Sequence, residues 1–374
     1  MYNVVSEGSI KLKIQKAAKI SKEMGVFYNP IMGLNRDISV LLLNSINKNN
    51  LQIADPLAAT GVRSVRFLKE LNTRENQRFS GPRNFKKISR ENKIKKIYIN
   101  DYDKDAIKLI KQNLALNNIH YKNNKSIIIK NEDANLFLLN SSGFDYIDLD
   151  PFGSPNFILD SACKRLSRNG ILAVTATDTS ALCGTYPRAC IRKYWAFPRK
   201  SAIMHETGLR ILIRKIQLTA AQYDKALIPI FSYSKEHYMR VFLKNDKSKN
   251  KVDEILKHHE YFNNAGPMWL GKLWDDNLTN KMYSIALKNK IFNKSSGLIK
   301  FLKIIKEESK INAVGFYDLH DICEKNHIKN LPKKEVLISK IKKLGYKASE
   351  THFKGEGIRS SMPINRLIRI LKNK

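Results

Sequence analysis

The stretch Asp148-Leu149-Asp150-Pro151-Phe152-Gly153-Ser154-Pro155 holds the densest chemistry in this sequence. Large apolar residues dominate from Phe144 to Leu149, which reads as a buried strand, and the run stops abruptly at a Pro- and Gly-containing turn. In an open α/β sheet, ligands bind outside the carboxyl ends of the strands. There the Asp150 carboxylate and the Pro151 carbonyl can together accept both hydrogens of an exocyclic amine, while the Phe152 ring grips the flat base that carries it. That is the chemistry of methylating an amino group on a nucleobase. The same residues also make an ordinary strand-to-turn exit, so the other strand ends have to discriminate.

Upstream, Val26-Phe27-Tyr28-Asn29-Pro30 precedes an apolar helix expected over 38–46, with Asn35 or Asp37 as its cap and Arg36 read locally as a surface charge. Residues 51–55 read as a short strand. Pro56-Leu57-Ala58-Ala59-Thr60-Gly61 then forms a loop of small residues leading into a helix, a turn that lets backbone amides approach a nucleotide-type cofactor. The loop lacks the G-x-G-x-x-G spacing, so dinucleotide binding is not indicated. A second strand ends on Asp101, placed to bind the two hydroxyls of a ribose, and Asp103 or Asp105 can cap the helix that follows. After a third strand, Asp133 either accepts the amino group of an adenine or caps the helix from Ala134. The Asp150 strand is the fourth, and residues 170–177 make a fifth. Loop, acid, acid and Asp-Pro-Phe at successive strand ends is the order found in Rossmann-like methyltransferases that use S-adenosylmethionine.

The elements that must position these groups fit a chain of 374 residues, long enough for two domains. The net charge of +33 makes a nucleic acid the natural partner, although part of the excess reflects a general richness in Lys, Asn and Ile. Residues 72–96 form a basic insertion, suited equally to RNA phosphates and to a tolerated surface loop. Cys163, Cys183, Cys190 and Cys323 show no C-x-x-C pair, so they are expected to be buried thiols, with no metal site and no disulfide framework. No stretch approaches a membrane span and the first residues do not read as an export signal, so a cytoplasmic protein is expected. Residues 178–199 read as an ordered loop at the same sheet edge, where His205, Glu206 and Arg210 can also line the site. A charged linker is expected over 245–260. Beyond it, the pattern helix, helix, strand, wing, helix suggests a small winged-helix-like module for RNA.

Six longer motifs carry a closer likeness: Phe27-Tyr28-Asn29-Pro30, Leu34-Asn35-Arg36-Asp37, Ala59-Thr60-Gly61-Val62-Arg63, Asp148 to Pro155, Cys183-Gly184-Thr185-Tyr186-Pro187-Arg188-Ala189-Cys190 and Gly266-Pro267-Met268-Trp269-Leu270-Gly271. Together they resemble the tRNA (guanine-26, N2)-dimethyltransferase family, from about residue 4 to the C-terminus. The resemblance implies a methyltransferase domain over 1–244 with an N-terminal extension and a smaller α+β RNA-binding domain over 245–374. It implies S-adenosyl-L-methionine as cofactor and tRNA as partner. It matches Arg36, Arg66, Asp101, Asp133 and Ala134 to cofactor contacts, with Arg36 a partner for the methionine carboxylate, and Asp150, Pro151 and Phe152 to the catalytic loop.

Two departures stand out. Phe152 follows Pro151 directly, whereas the general amino-methyltransferase signature, as in Asp-Pro-Pro-Tyr, sets its aromatic one place later, so Phe27 competes for the stacking role. The cysteines that some members carry before Gly-Pro-x-Trp-Leu-Gly are absent. The remaining readings are an adenine-N6 or glutamine-N5 methyltransferase and a non-catalytic RNA-binding protein on the same fold.

Overall fold

A computed structural model describes residues 2–15, 25–71, 92–293 and 295–372. Most of the basic insertion, residues 72–91, therefore lies outside the described residues. The chain opens with a hairpin of β1 (Tyr2–Glu7) and β2 (Ile10–Gln15). Next come α1 (Gly33–Ser45), β3 (Leu51–Asp55), α2 (Val62–Glu70), β4 (Ile94–Asn100), α3 (Lys104–Leu116), β5 (Ile127–Lys130) and α4 (Ala134–Leu139). The series continues with β6 (Phe144–Leu149), α5 (Asn156–Arg165), β7 (Leu166–Ala176), α6 (Thr179–Leu182), α7 (Pro187–Tyr194) and α8 (Met204–Ala221). A long hairpin, β8 (Lys225–Lys235) and β9 (Tyr238–Lys247), closes the sheet.

The sheet order is β5-β4-β3-β6-β7-β9-β8, with β5 to β7 parallel and β9 antiparallel to β7. From β3 the chain winds outward through β4 and β5, then crosses to β6 and β7 on the other side. The gap between β3 and β6 is consequently the topological switch point, where a crevice opens at the carboxyl ends. This is the Rossmann-like sheet expected from the strand ends. β6 is central, and Tyr146, Ile147 and Leu149 are fully buried because helices cover both faces.

Local signals explain most boundaries. Asp103 caps α3 by accepting from the Asp105 amide at 2.7 Å, and Asp133 caps α4 by accepting from Asn135 and Leu136. The caps expected for α1 were misplaced. Asn29 accepts from the Ile31 amide and starts a 3-10 turn over Pro30–Met32 that runs straight into α1, so Asn35 and Asp37 lie inside the helix. The loop expected over 178–199 contains two short helices, with Pro187 opening the second.

The linker expected over 245–260 is also regular structure. β9 extends to Lys247, past the expected division at 244, and is followed by α9 (Lys249–Lys257), β10 (His259–Phe262) and β11 (Ala265–Trp269). Charged residues dominate there because the exposed sides are solvated, while Val252 and Ile255 point into the main core. α10 (Asp276–Lys288) packs on α1, and α11 (Ser296–Glu308) packs on α10.

A second core begins at Leu319 and includes Ile322, Leu337, Ile341, Ile358 and Leu367. Its elements are β12 (Tyr317–Asp318), α12 (Leu319–Lys325), α13 (Lys334–Lys343), β13 (Ala348–Glu350), β14 (Gly357–Ser360) and α14 (Ile364–Lys372), with sheet order β12-β14-β13. This is a winged-helix arrangement with the β13–β14 hairpin as wing. The strand expected at 351–353 sits three residues earlier, because Thr351 to Phe353 turn inward instead of pairing.

Buried charge joins this module to the main body. Arg359 on β14 donates to Glu206 on α8 at 2.6 Å and to Glu308 at the end of α11 at 3.0 Å, and Arg210 donates to Glu206 at 2.9 Å. Glu206 and Arg210 therefore do not line a site at the sheet edge, and His205 instead meets Cys183 Sγ at 3.5 Å. Burial alone would raise the Glu206 carboxyl, but Arg359 and Arg210 draw it down to about 2. Its contribution to stability is thus complete above the usual 4.5 and is lost as the pH falls toward about 2. Arg359→Ala strands two buried carboxylates, and the expected outcome at neutral pH is a loss of about 3–5 kcal/mol, read from the midpoint of denaturant unfolding; an unchanged midpoint would show the network to be dispensable.

Candidate active site

A cavity of about 400 Å³ opens at the switch point between β3 and β6. Its wall is assembled from four strand ends, the segment before α1 and α1 itself: Asp55 at the end of β3, Asp101 after β4, Asp150 to Phe152 after β6, Thr177 after β7, Phe27, Tyr28 and Asn29 before α1, and Arg36 within it. Volumes of this order hold small-molecule ligands and cofactors. The expected residues Phe27, Arg36, Asp101, Asp150, Pro151 and Phe152 are thereby brought together. Gly61, Arg66, Asp133 and Ala134 do not line the cavity.

Asp150 is held from below. Arg63 Nη2 on α2 donates to Asp150 Oδ2 at 2.5 Å, while Arg63 Nε lies 3.2 Å from Asp148 Oδ1. Arg63 also donates to Ser39 Oγ at 2.7 Å and to Asn35 Oδ1 at 3.0 Å, so both terminal nitrogens of its fork are engaged. Asp148 is fully buried and shared with Arg240 of β9 at 2.7 Å and the Tyr146 hydroxyl at 2.6 Å. Burial raises the Asp148 carboxyl, but Arg240 and Arg63 outweigh it and leave the group below its usual value. Gly153, at φ +71°, turns the loop out of the strand, and Thr177 fixes that turn: the Gly153 amide donates to Thr177 Oγ1 at 2.6 Å and the Thr177 amide donates to the Gly153 carbonyl at 2.9 Å. Phe27 and Phe152 meet edge to face, 4.5 Å between centroids, and form one aromatic wall at the mouth.

The opposite wall carries the cofactor-type groups. Asp101 Oδ2 accepts from the Ala59 amide at 2.7 Å, and its pKa is raised by burial against those backbone donors. The small-residue loop contributes Leu57 to Thr60, and the Thr60 hydroxyl is buried with no hydrogen-bond partner among the described residues. Gly61 serves the backbone: it sits at φ +74° as the α2 N-cap, and a Cβ there would come within 3.0 Å of Ile110.

Arg36 is not a surface charge. Its Nε and Nη2 clasp Glu7 from β1 at 2.6 and 2.5 Å, and Nη1 makes no hydrogen bond among the described residues. Arg66 is fully buried among Glu70, Asp37 and the same Glu7. The Glu7 carboxyl, raised by burial, is brought below its usual value chiefly by its hydrogen bond and charge pairing with Arg36.

Arg63, Glu7, Asp55 and Thr177 were given no role in the sequence. Asp55 and Thr177 carry the same signal as Asp101, a polar residue ending an apolar strand. Glu7 lies 29 residues from Arg36 in a separate hairpin, and no local pattern links them.

The family described as N2,N2-dimethylguanosine tRNA methyltransferase matches residues 8–265 and 257–372. A tRNA (guanine(26)-N(2)/guanine(27)-N(2))-dimethyltransferase of Aquifex aeolicus is 36% identical over 98% of this chain and 95% of its own. A tRNA (guanine(26)-N(2))-dimethyltransferase of Pyrococcus horikoshii is 37% identical over 98% and 97%. The solved structure of Trm1 from Pyrococcus horikoshii with S-adenosyl-L-methionine superposes with a TM-score of 0.84 at 35% identity, covering 98% of this chain and 99% of that one.

Asp55 lies at the floor of the cavity, where burial first and the Asp148 charge second raise its carboxyl from 3.8 to about 7 against the Ser64 hydrogen bond. The folded protein keeps this proton where the unfolded chain has released it, so the Asp55 contribution to stability declines as pH rises from about 3.8 to about 7 and is flat above. Asp55→Asn is expected to remove that decline. Unfolding free energies from pH 5 to 8 check this, and parallel curves for the two proteins would refute the assignment.

Proposed function

Because the chain belongs to the N2,N2-dimethylguanosine tRNA methyltransferase family, we propose that the switch-point cavity is where S-adenosyl-L-methionine and a tRNA guanine meet. The protein is an S-adenosylmethionine-dependent enzyme that methylates the exocyclic N2 of guanine in tRNA. Position 26 is the proposed target, giving mono- and then dimethylguanosine, and the cytoplasm is the proposed place of work. The observation that carries the site assignment is the convergence of Asp101, Arg36, Asp150 and the Phe27–Phe152 wall on one cavity.

The residues fit the cofactor. Asp101 presents a partly buried carboxylate at the end of β4, suited to two ribose hydroxyls, and the Nη1 edge of Arg36, which makes no hydrogen bond among the described residues, suits a carboxylate. Arg66 acts through Glu7, holding the carboxylate that orients Arg36. The turn at Asp133 and Ala134 is tied to the Asp101 carbonyl through Asn131 at 2.9 Å and bounds the adenine side, and Gly61 shapes the loop. When bound, S-adenosylmethionine supplies an electrophilic methyl group on a sulfonium.

Guanine N2 lies along a groove edge of a paired base, so the base has to leave its stack to enter the cavity. The aromatic wall takes its face. Asp150 Oδ1 and the Pro151 carbonyl accept the two N2 hydrogens, because Arg63 occupies Oδ2. These acceptors localise the nitrogen lone pair and aim it across the cavity. A preorganised acceptor pair, fixed by Arg63 and Thr177, costs no reorganisation when the bond forms. The proton shed by N2 passes to Asp150 and on to water. The winged module, with its basic surface, is proposed to hold the body of the tRNA.

Incubating a tRNA transcript and S-adenosylmethionine with the protein, then digesting to nucleosides for mass spectrometry, is expected to give mono- and dimethylguanosine; a methyl on adenosine, or none, overturns the reading. Asp150→Ala is expected to cut kcat by about 10²–10³-fold with cofactor affinity retained. Near-normal turnover would remove Asp150 from the reaction. Asp101→Ala is expected to weaken cofactor binding about tenfold or more, read by calorimetry.

A further inference from the structure

The segment from Cys183 to Lys200 has no part in the cavity wall. Pro187 opens α7, whose Cys190 and Tyr194 face the core and whose Arg188, Ile191, Arg192 and Lys193 face out. Residues 185–200 contain five cations and no carboxylate. Three aromatic rings are also exposed: Tyr186 by 63%, Trp195 by 57% and Phe197 by 48%. Lys193 pairs with Asp178 at 3.2 Å, while Arg188 and Arg192 have no ion pair among the described residues; such rings contribute little to the core, and a cluster of them beside these two cations marks an interaction surface.

The surface is rigid. Trp195 ends α7 at φ +56°, a conformation that bulky residues rarely adopt; Arg214 donates to its carbonyl at 3.2 Å and Lys215 Nζ lies 3.0 Å from its ring centroid. Phe197 exchanges both backbone hydrogen bonds with Gly266, at 2.7 and 2.8 Å. It is also tied to the catalytic loop. Asn156, directly after that loop, donates to the Lys193 carbonyl at 2.7 Å, and the Tyr194 hydroxyl donates to Asp178 at 2.6 Å, next to the Thr177 that clamps Gly153. A groove between Tyr186, Arg188, Arg192 and Phe197 runs over this surface.

We propose that this surface binds the tRNA strand flanking the target guanine. The phosphates lie on Arg188 and Arg192, and an unstacked neighbouring base lies on Tyr186 or Phe197. Extracting one base leaves its neighbours without a stacking partner, and aromatic faces replace the lost contact. Cations one helical turn apart, as at 188 and 192, share a face and suit a backbone. An acidic protein would also be drawn to the charge, but RNA is favoured because α7, which carries the groove, is hydrogen-bonded to the segments flanking a cavity suited to a base. This rests on the proposed function.

The test compares wild type, Arg188→Ala/Arg192→Ala and Tyr186→Ala for steady-state methylation of a tRNA transcript, tRNA affinity across salt concentrations, and cofactor affinity by calorimetry. The double variant is expected to raise the tRNA KM about tenfold or more and to reduce the salt slope of binding by about 1–2. Tyr186→Ala is expected to lose about tenfold in tRNA affinity with the slope unchanged. Both should bind the cofactor like wild type. If wild type methylates tRNA while both variants keep its tRNA KM and salt slope, the surface proposal is overturned and the proposed function stands. A wild-type protein that does not methylate tRNA overturns both.

Discussion

A buried guanidinium is tolerable only with partners close by, and those of Arg63 organise the whole catalytic face. It reaches Asp148 and Asp150 at the end of β6, Ser39 and Asn35 on α1, and it rises from α2. Arg240 on β9 completes the cluster from the far side through Asp148. Two arginines and two aspartates thus bind four elements, α1, α2, β6 and β9, at one point. The desolvation of each charge is tolerable only because the others are present, so the position of Asp150 follows from the assembly of the sheet and not from its loop alone.

The same device recurs twice. Glu7 sits between Arg36 and Arg66, which anchors the N-terminal hairpin to the cavity wall and makes the proposed cofactor side depend on a strand outside the main sheet. Arg359 sits between Glu206 and Glu308, which fixes the winged module to α8 and α11. In each case one arginine bridges two carboxylates or the reverse. Planar forks suit such bridges better than lysine does.

The cavity itself combines opposite demands. Asp101 and Asp150 both line it, and Asp55 in the same wall is driven toward the neutral form by burial and by Asp148. Asp101 and Asp150 keep backbone or guanidinium donors, which is what lets them serve as acceptors.

The sequence by itself determined the strand series, the helices between the strands, a short choice of caps that included Asp103 and Asp133, and the position of Asp101 and Asp150 at strand ends. Those features rest on periodicity, on turn residues and on side chains that bond within three residues of themselves. It also carried the motifs that mark the family. Its local pattern, before the family motifs, read Arg36 as a surface charge, and it placed Glu206 and Arg210 near the site and took 245–260 for a linker, because charge in a sequence does not say whether a partner exists. Only the tertiary structure decided that, by bringing Glu7 to Arg36, Arg359 to Glu206 and Arg63 to Asp150. The physical reason is range: backbone preference is set by neighbours in the chain, whereas the fate of a buried charge is set by whatever the fold places within about 3 Å of it.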